Sequence, residues 1–207
     1  MIASETTLTA AAEHLKRADP ILAPIIKRVG LARLKPHKNY YWELVDSIIS
    51  QQLSVKAAAS IEKRFQELFG SETPAAEAIL EKSIDELRSV GLSRPKANYI
   101  KDLAQHIVDG RLKFDRLDKQ SNEEIISELT DVKGIGEWTA HMFLIFCMGR
   151  LDVLPVGDLG IRNGIRALYG YEDVPTPQQI IKLAEKNSWH PYESVASWYI
   201  WQSLVAI

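Results

Sequence analysis

The chain has little cysteine: one residue in 207, Cys147. That excludes an intrachain disulfide and any four-thiolate zinc or iron–sulfur centre. Cys147 lies in the apolar run 142–148, where it reads as a small buried core residue. Long apolar runs are also missing. None reaches the roughly 18 residues of a membrane span, so no membrane span is expected. The N-terminus shows no basic segment leading into an apolar one, so nothing there suggests secretion. An intracellular protein is expected, in the cytoplasm or nucleoid of a bacterium or the nucleus of a eukaryote. There is no excess of positive charge: 25 Lys and Arg stand against 27 Asp and Glu, a net charge of −2. Nucleic-acid binders are often basic, because Lys and Arg replace the counterions of phosphates, so this balance counts mildly against such a partner. Net charge is not charge distribution, however, and backbone amides can supply part of one favourable face.

Period-two alternation is nearly absent. The best strand candidate, 151–156, is short and contains Pro155. What is present is helix punctuation. Ser83 with Glu86, Ser121 with Glu124 and Thr176 with Gln179 each have capping-box spacing, in which the two side chains satisfy orphan amides reciprocally. Pro177 suits a first helical position, and Thr73-Pro74 reads as another start. Gly70, Gly91, Gly149 and Gly170 follow periodic apolar segments, as helix-ending glycines do. Helices are expected near 5–17, 20–29, 40–51, 54–69, 74–80, 83–89, 94–109, 121–130, 137–148, 159–169, 177–187 and 191–205. The fold class is all-α. No low-complexity linker divides the chain.

Two segments carry chemistry. In Val132-Lys133-Gly134-Ile135-Gly136, a capped helix runs through a Gly-x-Gly turn directly into an apolar helix. Paired glycines permit positive φ and close backbone approach, and the amides around them sit at a helix N-terminus, where an anion is favoured. Ile135 would plug the turn into the core. A tight αα-turn would look similar, but the following Trp138-Thr139-Ala140 completes a helix–hairpin–helix pattern that grips phosphate without reading sequence. The second segment is Leu154-Pro155-Val156-Gly157-Asp158. Asp158 precedes a new helix, and on its own it reads as an N-cap. One short return loop after the hairpin helix, it also brings a carboxylate back toward the phosphate-gripping segment.

Together these residues resemble the HhH-GPD superfamily of DNA glycosylases, and within it the alkylation-repair, 3-methyladenine DNA glycosylase II type. Ser47–Ser54, Gly91-Leu92-Ser93 with Lys96 and Tyr99-Ile100, and Trp189–Trp201 are similar to stretches of that branch. The resemblance runs from about residue 20 to the C-terminus. It implies a two-lobed helical bundle with the active site in the cleft between lobes. The N/C-terminal lobe would comprise 1–39 plus 151–207, and the central lobe 40–150, with the hairpin motif at 121–148. The chain looks too short for the extra N-terminal β-domain of the larger bacterial relative.

The resemblance further implies a hydrolase of base excision repair that flips alkylated purines (3-methyladenine, 7-methylguanine) out of duplex DNA and cleaves the N-glycosidic bond, with Asp158 catalytic. Relatives that also cut the backbone carry a Schiff-base lysine two residues after the second hairpin glycine; here that position is Trp138, which implies a monofunctional enzyme without lyase activity. Trp138, Trp189 and Tyr192 are the candidate pocket walls, since flat aromatics suit cationic alkylpurines. Trp198 and Trp201 read as core at helical spacing. DNA contacts are assigned to Lys133, Gly134, Ile135, Gly136 and Thr139, with Gln52 and Leu53 as the plug that fills the vacated base position. Leu53 fits a core position equally well, and Lys133 a solvated one. No cofactor is required, although carbonyls of Thr130, Val132 and Ile135 are candidates to hold a sodium or potassium ion at the hairpin. A monomer acting on damaged double-stranded DNA is expected. Three other readings stay open: a catalytically silent DNA-binding adaptor, a glycosylase for oxidised, deaminated or mismatched bases, and an all-α protein-interaction domain.

Overall fold

The structure, a computed structural model, describes residues 1–205. Two compact units make up the chain: Met1–Lys38 together with the chain from His141 onward, and Asn39–Ala140. Twelve α-helices and no strand are found among the described residues.

The discontinuous unit holds α1 (Glu5–Ala18), α2 (Leu22–Val29), α10 (Leu159–Tyr169), α11 (Pro177–Lys186) and α12 (Glu193–Val205). Helix α12 packs on α1, α2 and α10, and it is apolar on nearly every face, as a helix enclosed by others must be. Gly164 makes the α10–α12 contact close: a Cβ there would lie 2.4 Å from Ile200 Cγ2. Beneath these helices Asp19 is fully buried, a costly position for a carboxylate unless it is well bonded. It accepts the Ile21 and Leu22 amides at 2.9 and 3.1 Å, the Tyr169 hydroxyl at 2.6 Å and the Trp189 indole at 2.8 Å.

The segment 151–156 is not a strand. Ser194, at the start of α12, donates its amide to the Leu151 carbonyl and exchanges hydroxyl bonds with the Val153 amide and carbonyl. These bonds use the groups a neighbouring strand would need. Pro155 then bends the chain, and the Asp158 amide closes a turn on the Pro155 carbonyl at 2.9 Å. Among the described residues the pairing nearby is an isolated antiparallel bridge between Ile2 and Arg150.

The continuous unit holds α3 (Tyr40–Ser50), α4 (Val55–Phe69), α5 (Ala76–Glu81), α6 (Ile84–Ser89), α7 (Arg94–Val108) and α8 (Asn122–Thr130), with a 3-10 turn at Leu117–Lys119. Helix α7 is its hub, packing on α3, α5 and α6. The capping boxes at Ser83, Ser121 and Thr176 all form. Gly70 and Gly170 end α4 and α10 in the left-handed conformation. Thr73-Pro74 does not start a helix; α5 begins two residues later, capped by no side chain. The helix leaving the hairpin is α9 (Glu137–Met142), which continues as a π-helical stretch, Phe143–Cys147, rather than as one regular helix to 148. Such wide turns are rare and concentrate at functional sites.

Candidate active site and nucleic-acid interface

In the continuous unit, α8 runs into the hairpin through turns closed by Val132 N–H on the Leu129 carbonyl and Ile135 N–H on the Val132 carbonyl. Val132 and Ile135 are buried and anchor the turn. Gly134 has φ 86°, and a Cβ there would fall 2.2 Å from the Tyr99 ring. The position therefore requires glycine twice over, for its dihedral and for the aromatic ring against it. Gly136 differs. Its φ is not positive, its surroundings are open, and it is exposed. Among the described residues the Gly134 and Gly136 amides have no hydrogen-bond acceptor, as an anion-holding turn leading into α9 requires.

The Lys133 amide is engaged instead. It donates to Asp102 Oδ2 at 2.9 Å, and the exposed Lys133 ammonium stands 3.3 Å from Oδ1. Burial pushes the Asp102 carboxyl up, but the Lys133 amide and ammonium, with His106 nearby, outweigh it and hold the group below the usual aspartate value. His106, buried, links the Asp102 carbonyl to Asp131 at the end of α8. The hairpin is thus tied to α7 by a polar network.

In the discontinuous unit, Asp158 is the N-cap of α10. Its Oδ1 accepts the Ile161 amide at 2.7 Å and the Trp201 indole N–H at 2.9 Å. Gly160 makes this possible: a Cβ there would lie 3.2 Å from the indole and 3.0 Å from Asp158 Oδ1. Trp201, half-buried, lies against Phe146 with ring centroids 5.6 Å apart. A half-exposed carboxylate, fixed by two N–H donors beside an aromatic pair, suits stabilising a cationic centre on a bound molecule.

Comparison with known proteins gives the family. The family model described as "HhH-GPD superfamily base excision DNA repair protein" matches residues 45–189. The chain belongs to that superfamily. It is 36% identical over 203 residues to DNA-3-methyladenine glycosylase 1 of Schizosaccharomyces pombe, covering 96% of this chain and 88% of the relative. The crystal structure of a DNA-3-methyladenine glycosidase from Bacillus halodurans superposes with TM-score 0.85 at 37% identity, covering 93% and 88% of the two chains. The S. pombe 3-methyladenine DNA glycosylase Mag1, in complex with abasic DNA, superposes with TM-score 0.78 at 34% identity, covering 94% and 96%.

Several expectations drawn from the superfamily pattern need correction. Trp189 is not a pocket wall: it is fully buried, with its indole donating to Asp19. The Tyr192 ring meets that of His14 of α1, with centroids 5.2 Å apart in a T-shaped contact. Thr139 is buried, so its side chain is not on a surface that meets a phosphate. Of the two hairpin glycines only Gly134 has positive φ, and what approaches it is the Tyr99 side chain rather than another backbone. Trp138 is 54% exposed on α9. Gln52 and Leu53 are exposed at the α3–α4 turn, which removes the core reading of Leu53. Sequence pattern does not single out Trp201 and Phe146 as neighbours of Asp158. Both stand in near-continuous apolar helices, where spacing does not tell a core ring from one beside a carboxylate.

Proposed function

We propose that the protein is a monofunctional DNA glycosylase that releases alkylated purines from duplex DNA as a monomer. The observation carrying this reading is Asp158, oriented by Ile161 and Trp201, in a chain similar over nearly its full length to 3-methyladenine glycosylases, with its hairpin inside the region the superfamily model matches. A base inside the stack is out of reach, so the nucleotide must first be extruded. The amides of Gly134 and Gly136 would hold a backbone phosphate, with the Lys133 ammonium alongside. Gln52 and Leu53 would fill the vacated position. Trp138 would supply a flat, electron-rich face for a cationic base.

As the bond from C1′ to the purine nitrogen breaks, its electron pair leaves with the base and the sugar becomes oxocarbenium-like. The Asp158 carboxylate stabilises that positive charge. Water then adds to C1′ and loses a proton, for which the carboxylate is a suitable acceptor. An alkylated purine departs readily, so no separate acid is needed. The side chain two residues beyond the second hairpin glycine is an indole, which has no amine to form a Schiff base.

The hairpin also suits a monovalent cation. Among the described residues no donor reaches the carbonyls of Thr130 or Ile135, and the Val132 carbonyl, which accepts one amide, keeps a second lone pair. An ion held there would add positive charge beside the phosphate.

The test is release of 3-methyladenine, 7-methylguanine, hypoxanthine and 8-oxoguanine from duplexes, with strand scission scored separately. Alkylpurine release without scission, lost in Asp158→Asn, is expected. Full activity in that variant, or borohydride trapping of the wild type on DNA, would refute the mechanism.

A further inference from the structure

The turn between α3 and α4 has type II geometry. Gln51 has φ −47° and ψ 127°, Gln52 has φ 57°, and the Leu53 amide donates to the Ser50 carbonyl at 3.1 Å. The third position of such a turn needs positive φ, which is why glycine usually occupies it. Here it is a glutamine with an exposed side chain, flanked by Leu53, 39% exposed, and Val55, 89% exposed. A strained, solvent-facing glutamine beside bare apolar groups contributes nothing to the core, so the conformation must be held from elsewhere.

Two side chains hold it. Lys96 of α7 donates to the carbonyls of Ile49 and Gln51 at 2.8 and 2.6 Å, satisfying the open end of α3. Gln51 Nε2 donates to the Gly134 carbonyl at 2.8 Å. That glycine is the one whose dihedral shapes the hairpin. The chain of contacts Lys96–Gln51–Gly134 therefore joins the turn to the phosphate-gripping loop, although these residues lie 45 and 83 positions apart.

We propose that Lys96 and Gln51 are positioning residues for base extrusion, locking the 50–54 turn to the hairpin so that the plug is set at a fixed distance from the gripped phosphate. This rests on the glycosylase reading above. Without the lock, Gln52 relaxes to negative φ, and insertion must then order the turn at the moment of binding, which weakens it.

Insertion is read by the fluorescence of 2-aminopurine placed opposite an abasic analogue in a duplex. In parallel, excision from methylated duplex is compared with excision from methylated single strands, where no gap has to be filled. Lys96→Met and Gln51→Leu are expected to slow the fluorescence change and duplex excision at least fivefold, while single-strand excision stays within twofold. Lys96→Arg, which can still donate to both carbonyls, should recover most of the response. Melting curves of both variants check folding, and the two lesions in the clamp are independent. Equal losses on duplex and single strand, or an unchanged fluorescence response in both variants, overturn the proposal. Wild-type insertion without base release from either substrate would refute the glycosylase reading, while the fluorescence of the variants still decides the clamp.

Discussion

Replacing Trp201 with Phe tests whether the indole acts through Asp158. The substitution keeps a ring against Phe146 but removes the N–H that lies 2.9 Å from Oδ1. A hydrogen bond to a charged acceptor contributes about 1.5–3 kcal/mol. At about 1.36 kcal/mol per decade of rate, its full loss would slow the reaction roughly 10- to 150-fold. The Ile161 amide, at 2.7 Å on the same oxygen, continues to anchor the carboxylate, so the lower end applies. The expected result is about a tenfold fall in kcat with KM within about twofold, since an interaction acting in the transition state leaves ground-state binding alone. Losing part of a half-buried ring should cost about 1 kcal/mol of stability, a fall in Tm of about 2–4 °C for a chain of this size. Single-turnover base release, measured well below both melting points, separates the two effects. The decisive arm is the double variant. If the indole works only by orienting Asp158, Trp201→Phe adds nothing once Asp158 is Asn. A further tenfold loss in that background would refute the reasoning and leave Trp201 acting on the base directly.

The two hairpin glycines should behave differently. Gly134→Ala meets both a forbidden φ and the Tyr99 ring, and is expected to destabilise the protein by more than about 2 kcal/mol in denaturant titrations. Gly136→Ala has open space and an ordinary φ; it should leave stability within about 1 kcal/mol while weakening duplex binding in fluorescence anisotropy, because a methyl group there shields the amide. Asp46 in α3 supplies a pH prediction. Burial, then Glu62 and Glu43, push its carboxyl up to about 6. A raised folded pKa means that the folded state binds the proton more tightly, so stability is lost as pH rises from about 4 through about 6. Asp46→Asn should therefore raise Tm at pH 7–8 by the equivalent of about 1 kcal/mol, discounted for partial exposure, and leave it unchanged near pH 4. A gain that persists at pH 4 would contradict the assignment.

Local chemistry carries most of the fold in the sequence. Each capping box is written within four consecutive residues, and so is each left-handed glycine stop, which is why the helices fall where the punctuation puts them. The segment 151–156 is a different case. Its fate depends on Ser194, some 40 residues away, and no local pattern announces that. The site divides in the same way. Gly134 and the capping role of Asp158 were legible because dihedral freedom and helix capping are short-range demands. Trp189 and Trp201 were not. They differ in whether Asp19 or Asp158 receives the indole N–H, and those partners lie 170 and 43 residues away. Helix α12 is apolar all round, so periodicity gave no sign of which ring would reach a carboxylate.

If Asp158 both caps α10 and acts on the sugar, as proposed, the protein can fail in a particular way. Asparagine caps a helix as well as aspartate does. On the proposed mechanism an exchange there would remove the charge that stabilises the sugar and leave α10, its packing on α12 and the hairpin intact. Quality control that recognises unfolded chains would have nothing to act on. The altered protein would persist at full abundance and still occupy lesions it cannot process, shielding them from other repair. At this position the harmful exchange is the one that spares the fold, so selection must act through the chemistry alone.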